Sequence, residues 1–149
     1  MIFVNLLQAY FTLYVTILWH EIGHFGHRIK YQFHPSIPVI YSENARFKTG
    51  GLVFNLIALY GIFKANPSSL LFLYFGLFNW LQFLSYTLIE PIFPLRANLF
   101  DKGNDIAGGG SDIRQLSKSL QFLFLIFGIF ILIQFKDFYY PILLNLFND

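Results

Sequence analysis

Thr16-Ile17-Leu18-Trp19-His20-Glu21-Ile22-Gly23-His24 closes an apolar run that begins at Ile2, and it contains the pattern His-Glu-x-x-His. On a helix, residues four apart lie one turn apart on one face. His20 and His24 can therefore aim two imidazole nitrogens at one divalent cation, with Glu21 beside them. Placing an ionisable residue in an apolar segment of membrane length costs roughly 2.5–3.5 kcal/mol on insertion scales. This segment holds His20, Glu21 and His24 within five positions, so the cost points to a function.

The surroundings have the composition of a membrane protein. Of 149 residues, 56% are hydrophobic and 12% charged, with 20 Phe and a mean hydropathy of +0.55. Soluble domains carry about 25% charged residues. The length suits one domain over 1–149. With no cysteine, a metal would have to be held by His and carboxylate. The first 19 residues carry no Lys or Arg, and no small-x-small cleavage site follows the apolar run. The first span is therefore expected to be retained.

Along the chain, the apolar runs predict an all-α polytopic membrane protein with about four transmembrane helices, over about 2–28, 50–64, 69–93 and 113–135. Residues 31–49 contain Pro35 and Pro38 and a short β-branched run, which predicts a loop with one strand-like piece at Ile37-Pro38-Val39-Ile40. Lys64-Ala65-Asn66-Pro67 reads as a turn, residues 94–112 as a polar Gly-rich loop, and Tyr139-Tyr140-Pro141 onward as an interfacial tail.

Charge sets the expected orientation. The loops after the first and third spans hold Arg28, Lys30, Arg46, Lys48, Arg96, Lys102, Arg114 and Lys118, against Lys64 and Lys136 on the other side. Cytoplasmic loops are enriched in Lys and Arg, so the metal-binding pattern is expected at the cytoplasmic face of a multi-pass protein, with the cell membrane as its location. No basic cluster rises above this bias, which gives nucleic-acid binding no support.

Two histidines leave a catalytic metal site one protein ligand short. His27 is seven residues beyond His20, about 10.5 Å along a continuous helix, too far to share the ion unless the helix breaks near Gly26. His34, after the first span and before Pro35, is expected at the surface. The expected third ligand is an aspartate of the loop before the fourth span. Asp112 stands at the mouth of that helix, with Asp105 the alternative and Asp101 behind both. As a ligand, Asp112 competes with its own capacity to cap that helix, with Gln115 completing a capping box.

His20-Glu21-Ile22-Gly23-His24 in a membrane helix, Gly51-Leu52-Val53-Phe54-Asn55 opening the next, and an aspartate starting a later one resemble the site-2 protease family of intramembrane zinc metalloproteases. The likeness runs from about residue 15 to 120. Gly51 and Asn55 match that family's Gly-x-x-x-Asn motif, and Pro91 and Pro94 echo its proline-rich approach to the third ligand. The aspartate motif departs from the family: Ile113 follows Asp112 where the family has glycine, and Asn98 is a weak match to the family's asparagine. The resemblance implies Zn²⁺ on His20, His24 and the aspartate, Glu21 as general base, and hydrolysis of peptide bonds in transmembrane substrates within the lipid bilayer. Asn55 would hydrogen-bond the site or substrate, or pack between helices with Gly51. The strand-like piece would bind an unwound substrate by strand addition, or serve as an ordinary interfacial loop.

Two other functions compete. One is a catalytically silent scaffold that binds transmembrane helices, which Glu21 disfavours. The other is a zinc-dependent membrane hydrolase of non-peptide substrates, or a metal transporter. A transporter would carry more ionisable residues in the second and fourth spans.

Overall fold

The structure is a computed structural model and describes residues 2–32, 39–43, 46–93, 112–113 and 116–148. It is mostly helical, with four α-helices among the described residues. In chain order these are α1 (Ile2–Gly23), α2 (Gly50–Ala65), α3 (Leu70–Leu84), which runs into a π-helical turn (Ser85–Ile89), and α4 (Lys118–Asn148). Two strands, β1 (Arg28–Gln32) and β2 (Val39–Glu43), stand between α1 and α2. Helices α1, α2 and α3 pack on one another, and α4 lies against α3 and the π turn. Two helical stretches, Leu70–Ile89 and Lys118–Phe147, are long and apolar enough to cross a membrane, and Gly50–Ala65 is a shorter apolar helix.

Three expectations need correction. First, α1 does not run on to residue 28. His24 and Phe25 donate backbone N–H groups to the Glu21 and Ile22 carbonyls, the tighter bonding of a helix end, and Phe25 turns into the left-handed region at φ 49°. Residues 28–32 then form a strand. Second, the expected single strand-like piece is an antiparallel hairpin, with Arg28 opposite Glu43 and Gln32 opposite Val39. Ile37 and Pro38 lie outside the described residues, whereas Val39 and Ile40 belong to β2.

Third, α4 starts at Lys118 instead of 113 and continues through Pro141 to Asn148, where an interfacial tail was expected. Ser117 starts it, accepting the Leu120 N–H on its hydroxyl at 3.4 Å, so the cap expected of Asp112 falls five residues later. Past residue 135 the helix is held by Tyr139, fully buried, stacked on Trp80 and donating its hydroxyl to the Leu59 carbonyl. Pro141 removes one backbone donor, and this packing carries the helix past it.

The core is apolar and centred on α3: Tyr74, Leu77, Trp80 and Phe83 meet Leu52 and Leu59 of α2 and Ile131, Phe135 and Tyr139 of α4. Helix α1 reverses the usual distribution. Its buried face contains Thr12, Thr16 and His20 at four-residue spacing, while Leu6, Leu7, Tyr10 and Phe11 are about half exposed or more. The crossing of α1 and α2 is closest at Gly23 and Gly50, where a methyl group on either would strike the backbone of the other. That contact sets the end of α1, with its two histidines, against the start of α2.

Candidate metal centre

His20 and His24 project from the last turn of α1 and its exit, and both are buried. Asp112 comes from the turn before α4. The neighbouring Ile113 is fully buried in the core, which anchors this turn and presents the Asp112 carboxylate to α1. Asp112 Oδ2 lies 3.1 Å from His20 Nε2 and 3.2 Å from His24 Nε2. One donor atom from each residue lies within 4.8 Å of the other two. A tetrahedral cation with bonds near 2.0–2.1 Å holds its donors about 3.3 Å apart, so the trio fits a metal ion with little adjustment. Burial alone would raise the Asp112 pKa, but the hydrogen bonds and charges of His20 and His24 outweigh it and hold the carboxyl down at about 2. Asp112 is therefore anionic at neutral pH, the form a metal ligand requires.

The far nitrogen of each imidazole is also occupied. His20 Nδ1 is 2.5 Å from Asn55 Oδ1, and His24 Nδ1 is 2.8 Å from the Phe47 carbonyl. The His24 carbonyl in turn accepts the backbone N–H groups of Arg46 and Phe47 at 3.0 and 3.3 Å. The loop entering α2 is thereby clasped to the end of α1. Trp19 adds a second tie, donating its indole N–H to the Phe54 carbonyl at 2.7 Å. Pairing of this kind outside the ligand sphere orients metal-bound histidines.

Glu21, half-buried, accepts the Ser42 backbone N–H on Oε2 at 2.7 Å. Ser42 is paired with Ile29 across the hairpin, and its N–H turns toward α1. The carboxylate thus stands between the metal-binding trio and the outer edge of β2.

The structure therefore brings together His20, His24, Asp112, Glu21 and Asn55. His27 is exposed after the end of α1 and does not belong to the trio. Asp101, Asp105, Asn98 and His34 lie outside the described residues. Sequence alone missed three participants: the Phe47 carbonyl, the Ser42 amide and Tyr86, whose ring stacks on His20. Backbone groups carry no signal in residue type, and an aromatic residue among nine Tyr and 20 Phe carries little. Gln82 was visible as a polar break in an apolar run, and it receives an Asn55 amide hydrogen at 3.0 Å. No family model, curated protein or solved structure matches this chain.

Proposed function

We propose that this chain is an integral membrane zinc metalloendopeptidase of the site-2 protease kind, cutting peptide bonds of membrane-embedded substrates. The observation that carries the proposal is the convergence of His20, His24 and Asp112 on one point beside Glu21, from positions 92 residues apart in the chain. A His₂–carboxylate set beside a second carboxylate that is not a ligand is the donor chemistry of hydrolytic zinc sites. Bound there, zinc would polarise a scissile carbonyl and make a water molecule more acidic.

The chain's own groups supply the remaining chemistry. Glu21 would take the proton of the attacking water and return it to the departing amine nitrogen. Its hydrogen bond to Ser42 holds the carboxylate in place and sets β2 next to it. An extended substrate segment laid beside β2, on the side away from β1, would pass the base. Such a segment has lost its helical hydrogen bonds, so pairing with a strand offsets part of the cost of unwinding it in an apolar medium.

The inverted surface supports the membrane setting. Exposed Leu6, Phe11, Val53, Ile57, Phe72, Phe122, Phe130 and Ile133 contrast with buried Thr12, Thr16, Asn55 and Asn79. Lipid favours that distribution, whereas water would penalise it. The proposed arrangement has four spans and the metal-binding end at the cytoplasmic face.

The test combines zinc content of the detergent-purified chain with cleavage of a panel of single-span substrates. Wild type should contain about one zinc per chain and cleave. Glu21→Gln should keep the zinc and lose roughly 10²-fold or more of the cleavage rate. Asp112→Asn should lose both. Full cleavage by Glu21→Gln would overturn the mechanism. Zinc retention without cleavage by wild type would leave a helix-binding scaffold.

A further inference from the structure

We propose that Asn55 and Tyr86, the latter presented from the π-helical turn, are positioning residues that fix the tautomer and the plane of His20. The inference rests on the metal-site reading above and extends it to groups that would touch neither metal nor substrate.

His20 is fully buried, and the structure surrounds its ring. Asn55 Oδ1 faces Nδ1, and Asp112 Oδ2 faces Nε2. The Tyr86 ring lies 4.9 Å from it, centroid to centroid, and only 7° from parallel. Gly51, one turn before Asn55 on α2, occupies the remaining edge, and a Cβ there would collide with Nε2, Cε1 and Cδ2 of the imidazole. His20 thus has one ring orientation available.

The tautomer follows from the bonding of Asn55. Its Nδ2 donates to the Asn79 carbonyl at 3.3 Å and to Gln82 Oε1 at 3.0 Å, both acceptors. Those bonds assign the amide nitrogen, so Oδ1 is the atom at His20 and can only accept. His20 Nδ1 must therefore carry a proton. When the ring is neutral, Nε2 holds the lone pair, and it points at Asp112 where a cation would sit. A neutral amide does this without adding a second buried anion beside Asp112.

The π turn supplies the stacking partner. The Glu90 N–H reaches back to the Ser85 carbonyl at 3.1 Å, a bond spanning five residues. Tyr86 lies within this turn, buried, and Thr87 behind it packs at Gly128 of α4. A π turn is poorly bonded and persists where surrounding packing requires it. Here that packing is the His20 face on one side and the α4 crossing on the other.

The experiment measures zinc affinity by competition with a chromophoric chelator, together with ¹⁵N shifts of His20 that distinguish protonated from lone-pair ring nitrogens. Asn55→Leu should weaken zinc binding about 10- to 100-fold and leave His20 a mixture of tautomers. Tyr86→Leu should weaken it about tenfold, and Tyr86→Phe, which keeps the ring, should bind within about threefold of wild type. Gln82→Met, a milder change that frees one arm of the Asn55 amide, should weaken binding less than Asn55→Leu and keeps the test open if that variant misfolds. Wild-type affinity in Asn55→Leu and Tyr86→Leu, with Nδ1 still protonated, would overturn the proposal. A lone pair on Nδ1 in wild type would overturn it directly. If wild type takes up no zinc, the metal reading itself falls, while the ¹⁵N shifts of the metal-free chain still decide whether Asn55 sets the tautomer.

Discussion

At the scale of the residue, the candidate centre depends on space as much as on donors. Gly51 touches no ion, yet the position its Cβ would take is occupied by the His20 imidazole. Gly51→Ala must therefore push the ring away from Asp112 or push α2 away from α1. The expected result is at least a tenfold loss of zinc affinity, with secondary structure kept, measured by chelator competition and circular dichroism. An unchanged affinity would mean that α2 shifts freely. His20, Glu21 and His24 were legible in the sequence because their spacing alone predicts convergence on a helix, and the structure brings them together. Asp112 was legible only as one of three aspartates. The burial of Ile113 next to it holds Asp112 at the two histidines, a tertiary fact that the sequence shows merely as an apolar residue after an acidic one; Asp101 and Asp105 lie outside the described residues.

At the scale of the element, α2 lies where its apolar run predicted, while α3 with its π turn covers 70–89 of the 69–93 expected. The ends were harder to place. His24-Phe25-Gly26-His27-Arg28 contains no proline, so nothing forbade a longer α1; the chain leaves the helix because the loop before α2 hydrogen-bonds the His24 carbonyl. The alternation in Arg28-Ile29-Lys30-Tyr31-Gln32 fits a strand, but it straddled the end of the segment read as helix and the start of the one read as a loop. The π turn is set by packing and leaves no mark in composition. The crossing of α1 and α2 yields its own prediction. Gly23→Ala and Gly50→Ala each place a methyl group against the opposite backbone, which has no side chain to move aside. Each should destabilise the fold by about 1–3 kcal/mol, the range for overpacking, read as a lower midpoint of thermal unfolding in detergent. Gly61→Ala is the control, because a Cβ there meets nothing within 4 Å, and it should leave the midpoint unchanged or slightly raised.

At the scale of the whole molecule, the proposed topology places the turn at Asn66–Pro67 across the membrane from the loop at Arg46–Lys48. Of cysteines introduced at Lys48 and Asn66, in a chain that has none of its own, only the one at Asn66 should label with a membrane-impermeant maleimide in intact cells, and the one at Lys48 only after permeabilisation. Labelling of both from one face would exclude a membrane-crossing α2. The candidate metal centre joins two distant parts of the chain. His20 belongs to α1 and His24 to the turn at its end, Asp112 to the entry of α4, and 92 residues separate His20 from Asp112. An ion bound there cross-links the first and last helices of the bundle in the folded state only, so it stabilises that state by mass action. With free zinc about a thousandfold above its dissociation constant, the gain is about 4 kcal/mol, provided the unfolded chain binds none. A chelator should therefore lower the thermal midpoint of wild type by several degrees. In Asp112→Asn the same chelator should produce a much smaller shift, because the amide is a weak ligand and the remaining two histidines lie at one end of α1. Glu21→Gln should respond as wild type does, since Glu21 is bonded to Ser42 and does not belong to the trio. Equal chelator shifts in wild type and Asp112→Asn would mean that zinc stabilises the fold without Asp112, and the cross-link between α1 and the entry of α4 would have to be abandoned.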